Sequence, residues 1–450
     1  MSRRKIDWFM CSSVLLLFTW AMGCVWLLEN VSITEQASDR EPMSSIKVLT
    51  RTGKETEAIQ QIIPMFEQEV GIKVELVELS RDGYFTALAT QLFAGTDQFD
   101  LALVPSTFVP QFASAGALEP LDHYIYDPSL TDQKTFDIND FVMTYGYRGE
   151  TYALPTDIST HFLYYRSDLI AHPPQTWEEL LEVAARFSRV HNKNSPTEWG
   201  LGLTGLGPEE LPKVYDTILW SYGGDIVRDN EVILDSKSAI QAGKILERMM
   251  KEQVASPDIV SWGFPEVLDE LLRGTIAMAA PHWNAAVPMI ASSNSPYKDV
   301  IKVALVPGVR QADGRIRRTP FQHGWALAIN RNSLHKREAW RFLLYATGKR
   351  GGQIYARGGG TPARYSILSD PLLTGIRPEF PLIIESLRLG KTEPAVTYYP
   401  TVHEIQNEAL TKILTLYEKP EAALADAGNK LRSIVIHNSV LNLNKEEEKQ

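Results

Sequence analysis

Apolar positions over residues 46–104 switch repeatedly between two periods. Ile46-Lys47-Val48-Leu49 predicts a short strand, and Ile59, Ile62, Ile63 and Phe66 recur at helical spacing between Glu55 and Val70. Gly71 ends that helix, and Ile72-Lys73-Val74-Glu75-Leu76-Val77 alternates as a second strand. Tyr84 to Ala94 predicts another helix, Phe99 to Val104 a buried strand, and Thr107 to Ala115 a helix closed by Gly116. Strand, helix, strand, helix, strand is the order of an α/β domain with a largely parallel sheet.

An extended run, Glu150 to Pro155, then leads into an aromatic strand at Phe162 to Tyr165. Thr176 opens an amphipathic helix from Trp177 to Val190, and Glu179 completes an S/T-x-x-E capping box. A second body follows. Its expected strands are Trp199 to Leu203, a ribbon at Ile226 to Leu234, Ile276 to Ala279 and Val300 to Val306, and Gly324 to Ile329 is read as the return crossing. Its helices are expected at Pro212 to Tyr222, Ser236 to Gln253 and Phe264 to Leu272. Helices at Lys336 to Thr347 and Gln353 to Arg357 are expected to rejoin the first body, and those at Val402 to Leu416 and Pro420 to His437 to pack on the second.

The N-terminus departs from this alternation. Arg3, Arg4 and Lys5 precede an apolar run from Trp8 to Leu28 long enough to cross a bilayer, and the basic flank predicts the body on the outer side. Residues 1–28 are read as a membrane anchor or signal segment, and polar residues 29–45 as a tether. Ala21-Met22-Gly23-Cys24 partly matches a lipobox, so acylation at Cys24, an uncleaved anchor and a cleaved signal all remain open. Each places the body outside the cytoplasm. Cys11 and Cys24 are the only cysteines, which removes disulfides and thiolate zinc sites from the body. A formal net charge of -10 argues against nucleic acid as partner.

Several blocks, in order from Ile46 to Val435, resemble the family 1 extracellular solute-binding proteins, the maltose-binding-protein-like carbohydrate receptors of ABC importers. Glu150 to Leu181 is similar to that family's first interlobe crossing. Phe99 to Val104 with the following FASAGALEPLD, and Ser221 to Val227 (SYGGDIV), match two further segments. So do Leu271 to Met278 with Pro281 and Trp283, and Gly360-Thr361-Pro362-Ala363-Arg364. Gly324 to Ile329 with Ala339 to Leu343 resembles its GGW and AWEFL block, although His323 replaces the first glycine, and His282 is inserted between Pro281 and Trp283.

The resemblance implies a periplasmic-binding-protein-like α/β fold, two lobes joined by a multi-stranded hinge that close on a ligand. Lobe 1 is expected at 46–161 and 330–371, and lobe 2 at 167–323 and 378–440. The hinge crossings are then 162–166, 324–329 and 372–377. It also implies a sugar or oligosaccharide ligand, ABC permease subunits as partners, no cofactor, and no catalysis.

A sugar site pairs aromatic platforms with planar hydrogen-bonding groups. Trp283 and Trp325 stand at the family's cleft positions. Tyr84 is a cleft aromatic or a helix-cap packing residue, and Trp220 lies two residues before the GGD turn. Asp157, in a loop expected to face the cleft, either accepts sugar hydroxyls or stabilises a turn. Arg364 offers a bidentate fork or an interlobe salt bridge. Arg51 and Thr52 follow the first strand, where open α/β sheets place ligands. Ser106 and Thr107 stand where relatives carry acidic or aromatic contacts.

Other motifs are weak. Gly200 to Gly205 fits G-x-G-x-x-G without the βαβ context of a nucleotide site, and Gly358-Gly359-Gly360 lacks a following Lys-Ser/Thr. The scattered histidines show no metal-ligand spacing, and no G-x-S-x-G elbow is present. Two alternatives stay open: a receptor for another polar solute, such as a phosphodiester, and an extracytoplasmic enzyme acting on glycans. A phosphate would demand Arg51 and Arg364 together, a cation several cleft carboxylates, and glycan hydrolysis a facing carboxylate pair.

Overall fold

The computed structural model describes residues 44–228 and 231–447. The apolar segment, Cys24 and the tether as far as residue 43 lie outside the described residues. Among the described residues, no helix is long and apolar enough to cross a membrane.

The strands are β1 (Ser45–Arg51), β2 (Lys73–Leu79), β3 (Leu101–Pro105), β4 (Tyr145–Tyr147), β5 (Glu150–Arg166), β6 (Trp199–Gly202), β7 (Val227–Arg228) and β8 (Glu231–Val232). They continue as β9 (Ile276–Trp283), β10 (Ile301–Leu305), β11 (Val309–Arg310), β12 (Ile316–Arg317), β13 (Phe321–Ile329) and β14 (Lys391–Thr392). β1 pairs in parallel with β2 along its whole length and with β3 at Val48 and Leu49, and the helices Lys54–Val70 and Arg81–Phe93 make the connections. This is the βαβαβ unit that the alternating periods call for. β13 then lies antiparallel to β3, and β5 antiparallel to β13.

β5 is what joins the two halves. Its first part pairs with β13, and its last part pairs with β9 and β10 in the second body, where β6 runs parallel to β9. The extended run and the aromatic strand are therefore one strand of 17 residues. Its polar middle, Thr156 to His161, breaks the apolar pattern yet is buried. Burial is tolerated because each group finds a partner. Thr156 Oγ1 donates to Trp325 O at 3.0 Å, Thr160 Oγ1 meets Ser386 Oγ at 2.7 Å, and His161 Nδ1 meets Thr217 Oγ1 at 2.8 Å.

Two separate hydrophobic cores define the lobes. Along β5, Leu154 belongs to the first core and Ile158 to the second; along β13, Trp325 belongs to the first and Phe321 to the second. The chain therefore changes core at residues 155–157 and 322–324. Residues 162–166, expected as a crossing, instead run within the second lobe, where Phe162, Leu163 and Tyr164 are packed.

The third connection also differs from expectation. Tyr355 lies in the first core, while Ala356, Ala363, Ile367, Leu368 and Leu373 lie in the second. Residues 372–376 sit in the helix Pro371–Ile376, and the change of core falls earlier, between Tyr355 and Ala356, just ahead of the triple glycine. Gly359 takes a left-handed φ of 97°, and a Cβ on Gly360 would run into the Tyr355 ring, so this passage suits glycine. The helices Tyr399–Leu414 and Pro420–Glu447 pack on each other and on Lys237–Lys251, in the second lobe.

Candidate functional site

A cavity of about 350 Å³ opens between the two lobes. The first lobe contributes Arg51, Glu55, Phe85 and Trp325, and the second Glu209, Glu210, Lys213, Phe264, Glu266 and Trp283. Ser159 of β5 and His323 of β13 line it where those strands pass from one lobe to the other.

Local structure explains each placement. Arg51 ends β1, at the carboxyl edge of the parallel sheet. Its guanidinium lies 4.1 Å over the Trp325 ring and 3.2 Å from Glu55 Oε1, one turn into the next helix. The Arg51 Nε is buried with no hydrogen-bond partner among the described residues. Trp325 pairs across from Pro105 and sits edge-on to Tyr84 at 6.3 Å. From the opposite wall, Trp283 ends β9 and donates its indole N–H to Glu210 Oε2 at 2.8 Å. Both tryptophans keep a small exposed area, 8% for Trp283 and 6% for Trp325, on the cleft side.

His323 stands between these two rings, 6.0 Å from Trp283 and 6.1 Å from Trp325. Behind it, Ser106 Oγ lies 3.0 Å from Nδ1 and donates to Glu393 Oε1 at 2.6 Å. Burial raises the Glu393 pKa, but His323, Ser106 and Lys213 outweigh it and bring the net value down to about 2. Burial, with Lys213 nearby, pushes the His323 pKa below the ordinary value despite Glu393, which favours the neutral ring. Glu209 pairs with Lys213 at 3.1 Å; burial pushes its pKa up, yet Lys213 holds it below the usual glutamate value.

Of the residues singled out in the sequence, the cavity wall brings together Arg51, Trp283 and Trp325. The others lie elsewhere. Tyr84 is fully buried in the first core, its hydroxyl donating to Leu49 O and Leu103 O; its neighbour Phe85 lines the cavity instead. Trp220 stacks on Phe321 at 5.3 Å and donates to Asp225, one layer behind the wall. Thr52 donates to Leu79 O at 3.2 Å. Ser106 and Thr107 line a smaller cavity of about 130 Å³ on the far side of His323.

Asp157 and Arg364 are tied up internally. Asp157 lies within β5 rather than in a loop, and accepts from Thr361 N at 2.8 Å, Tyr355 Oη at 3.1 Å and Ser159 Oγ at 3.2 Å. It thus pins the first lobe crossing to the third. Burial and then the Glu55 charge push its pKa up to about 7, against the pull of those hydrogen bonds. Arg364 is 1% exposed and lies 3.8 Å over the Phe141 ring. Its Nε and Nη1 donate to Thr347 O, Asp137 O and Asp140 Oδ2, and the buried guanidinium does not line the cavity.

Several wall residues escaped sequence reading. Glu209 and Glu210 lie just before a helix, where carboxylates are common, and His323 stood out only as a departure from a glycine. Phe85 was missed because the helical register of Arg81–Phe93 alone does not say which aromatic faces inward. No group of His, Cys, Asp and Glu suited to a metal occurs among the described residues.

Residues 52–353 match the profile of a family described as bacterial extracellular solute-binding protein. A putative binding protein of Brucella abortus (strain 2308) is 25% identical over 443 residues, covering 94% of this chain and 100% of the relative. The erythritol/L-threitol-binding protein of Mycolicibacterium smegmatis is 22% identical over 359 residues, 72% of this chain and 71% of its own. Among solved structures, maltose-bound MalE3 of T. maritima superposes with a TM-score of 0.77 at 24% identity, covering 87% of this chain and 100% of that one. An ABC transporter solute-binding protein from Agrobacterium radiobacter K84, in complex with ribitol, gives 0.76 at 18% identity, covering 87% and 98%. At such identities the structural likeness speaks to the fold, that of the periplasmic binding proteins.

Proposed function

Because this chain belongs to the bacterial extracellular solute-binding protein family, we propose that it is the receptor of an ABC importer. It captures a neutral polyhydroxyl solute, a sugar, short oligosaccharide or polyol, by closure of its lobes and delivers it to the permease. The observation that carries this reading is the pair Trp283 and Trp325, facing one cavity from opposite lobes with polar groups between them. Indole faces take the C–H surface of a polyol, and the polar rim takes its hydroxyls. Trp283, Trp325 and Arg51 are the proposed contacts from the original candidates, joined by Phe85, Glu210 and His323. Relatives named for maltose, ribitol and erythritol support the same ligand chemistry.

Charge argues against an anionic ligand. The wall carries the carboxylates Glu55, Glu209, Glu210 and Glu266 against the cations Arg51 and Lys213, both already paired. Arg364, which a phosphodiester would require beside Arg51, is absent from this wall. The relatives and fold neighbours are binding proteins, which favours capture over catalysis.

The test is a thermal-shift screen of the full-length chain against maltose, ribitol, D-mannitol, D-tagatose, a phosphodiester and a polyamine. A ligand that binds only the folded state raises the melting temperature by mass action. We expect a sugar or polyol hit, weakened about a hundredfold in Trp283→Ala by calorimetry. Stabilisation by the phosphodiester or the polyamine alone would overturn the ligand class.

A further inference from the structure

The Ser106–His323–Glu393 cluster has the residue types of a hydrolytic triad but not its geometry. Ser106 Oγ and Glu393 Oε1 both lie on the Nδ1 side of the ring, at 3.0 and 3.7 Å. A relay needs the base between nucleophile and carboxylate, one on each nitrogen. What this arrangement does instead is set the tautomer. Ionised Glu393 can only accept, and the short 2.6 Å contact from Ser106 Oγ places the hydroxyl proton on it. Ser106 Oγ takes Gly324 N–H at 3.4 Å on one lone pair and is left to accept from His323 on the other, so the ring proton resides on Nδ1.

Nε2 consequently carries a lone pair. The Nδ1 partners Ser106 and Glu393 line the small rear cavity, while His323 itself lines the interlobe cleft, so the opposite edge of the ring is the one turned to the cleft. No protein hydrogen bond to Nε2 occurs among the described residues. The ring also sits midway between the two tryptophan platforms, in the strand that joins the lobes.

We propose that His323 reads the ligand: its Nε2 faces the cleft as a hydrogen-bond acceptor and engages one ligand hydroxyl, in the tautomer that Ser106 and Glu393 impose from behind. This rests on the receptor reading above. His323 thereby sets specificity, since a ligand lacking a donor at that position leaves a desolvated acceptor unpaired.

Two measurements test it. Nitrogen-15 NMR of the ligand-free wild-type chain reads the tautomer directly, and an Nδ1–H ring is expected. Calorimetry with the sugar scored in the screen then compares wild type with His323→Asn and His323→Gln. Asparagine reproduces the Nδ1-side donor to Ser106 but offers nothing at Nε2; glutamine keeps an acceptor there. We expect His323→Asn to bind about tenfold more weakly with an unchanged ligand-free melting temperature, and His323→Gln to lose less. Among the monodeoxy analogues of that sugar, one should lose about tenfold on the wild-type protein and nothing further on His323→Asn, as a double-mutant cycle requires. An Nε2–H ring overturns the inference with no ligand needed, and so does His323→Asn binding as tightly as wild type. Silence of every sugar on the wild-type chain would count against the receptor reading, while the tautomer still decides the His323 network separately.

Discussion

The guanidinium of Arg364 serves the fold. Its Nε and Nη1 donate to Thr347, Asp137 and Asp140, and its face lies over Phe141. Arg364→Ala would leave Asp140 without its cation and should destabilise the chain by about 3 kcal/mol in chemical denaturation, with sugar affinity unchanged. An affinity loss without a stability loss would return Arg364 to the ligand. Asp157 gives a second residue-level prediction, in pH. Its pKa lies near 4 in an unfolded chain and is raised to about 7 here, so the folded state holds the proton more tightly. Its contribution to stability is complete below about pH 4 and is lost as pH rises through about 7, on the order of a few kcal/mol. Asp157→Asn stays neutral throughout, so its melting temperature should change less between about pH 4 and pH 8 than that of wild type. Parallel pH profiles for the two proteins would refute this.

Among the elements, β5 and β13 carry the most constraint, because each must pack in both lobes. Their close approach explains Gly324. A Cβ there would meet the Tyr145 hydroxyl and lie 2.7 Å from Asp157 O. Gly324→Ala should cost about 1–3 kcal/mol in urea denaturation, the usual range for overpacking; wild-type stability would mean that Tyr145 yields freely. Helix starts were easier to read. Thr176 caps the helix Trp177–Arg186 through Glu179 N at 3.2 Å, as the motif predicts. The Glu179 carboxylate accepts from Gln175 N at 2.8 Å rather than from the N–H of the cap residue itself. The helix Phe380–Leu389 was not foreseen: its apolar run is short and follows closely on another brief helix, Pro371–Ile376.

Two cores share three narrow connections, at 155–157, 322–324 and 355–356. Asp157 ties the first of these to the third. Few residues therefore need to absorb a rotation of one lobe on the other, and a ligand touching both tryptophans stabilises the closed arrangement. Small-angle scattering should show a smaller radius of gyration with the screened sugar than without it. An unchanged radius at saturation would exclude lobe closure as the mode of capture.

Periodicity and end signals along the chain determined the α/β class, most element boundaries and the order of the blocks, because these depend on neighbours a few residues apart. Ile59, Ile62 and Phe66 declare a helix face without any tertiary information. The cleft is different. Whether Tyr84 or Phe85 lines the cavity, and what Asp157 and Arg364 bond to, depend on contacts between residues far apart in sequence. Asp157 accepts from Thr361, and Arg364 pairs with Asp140 from far earlier in the chain. His323 shows the same division. Its position beside Trp325 was plain in the chain, but its role depends on Ser106 and Glu393, which only folding places behind it.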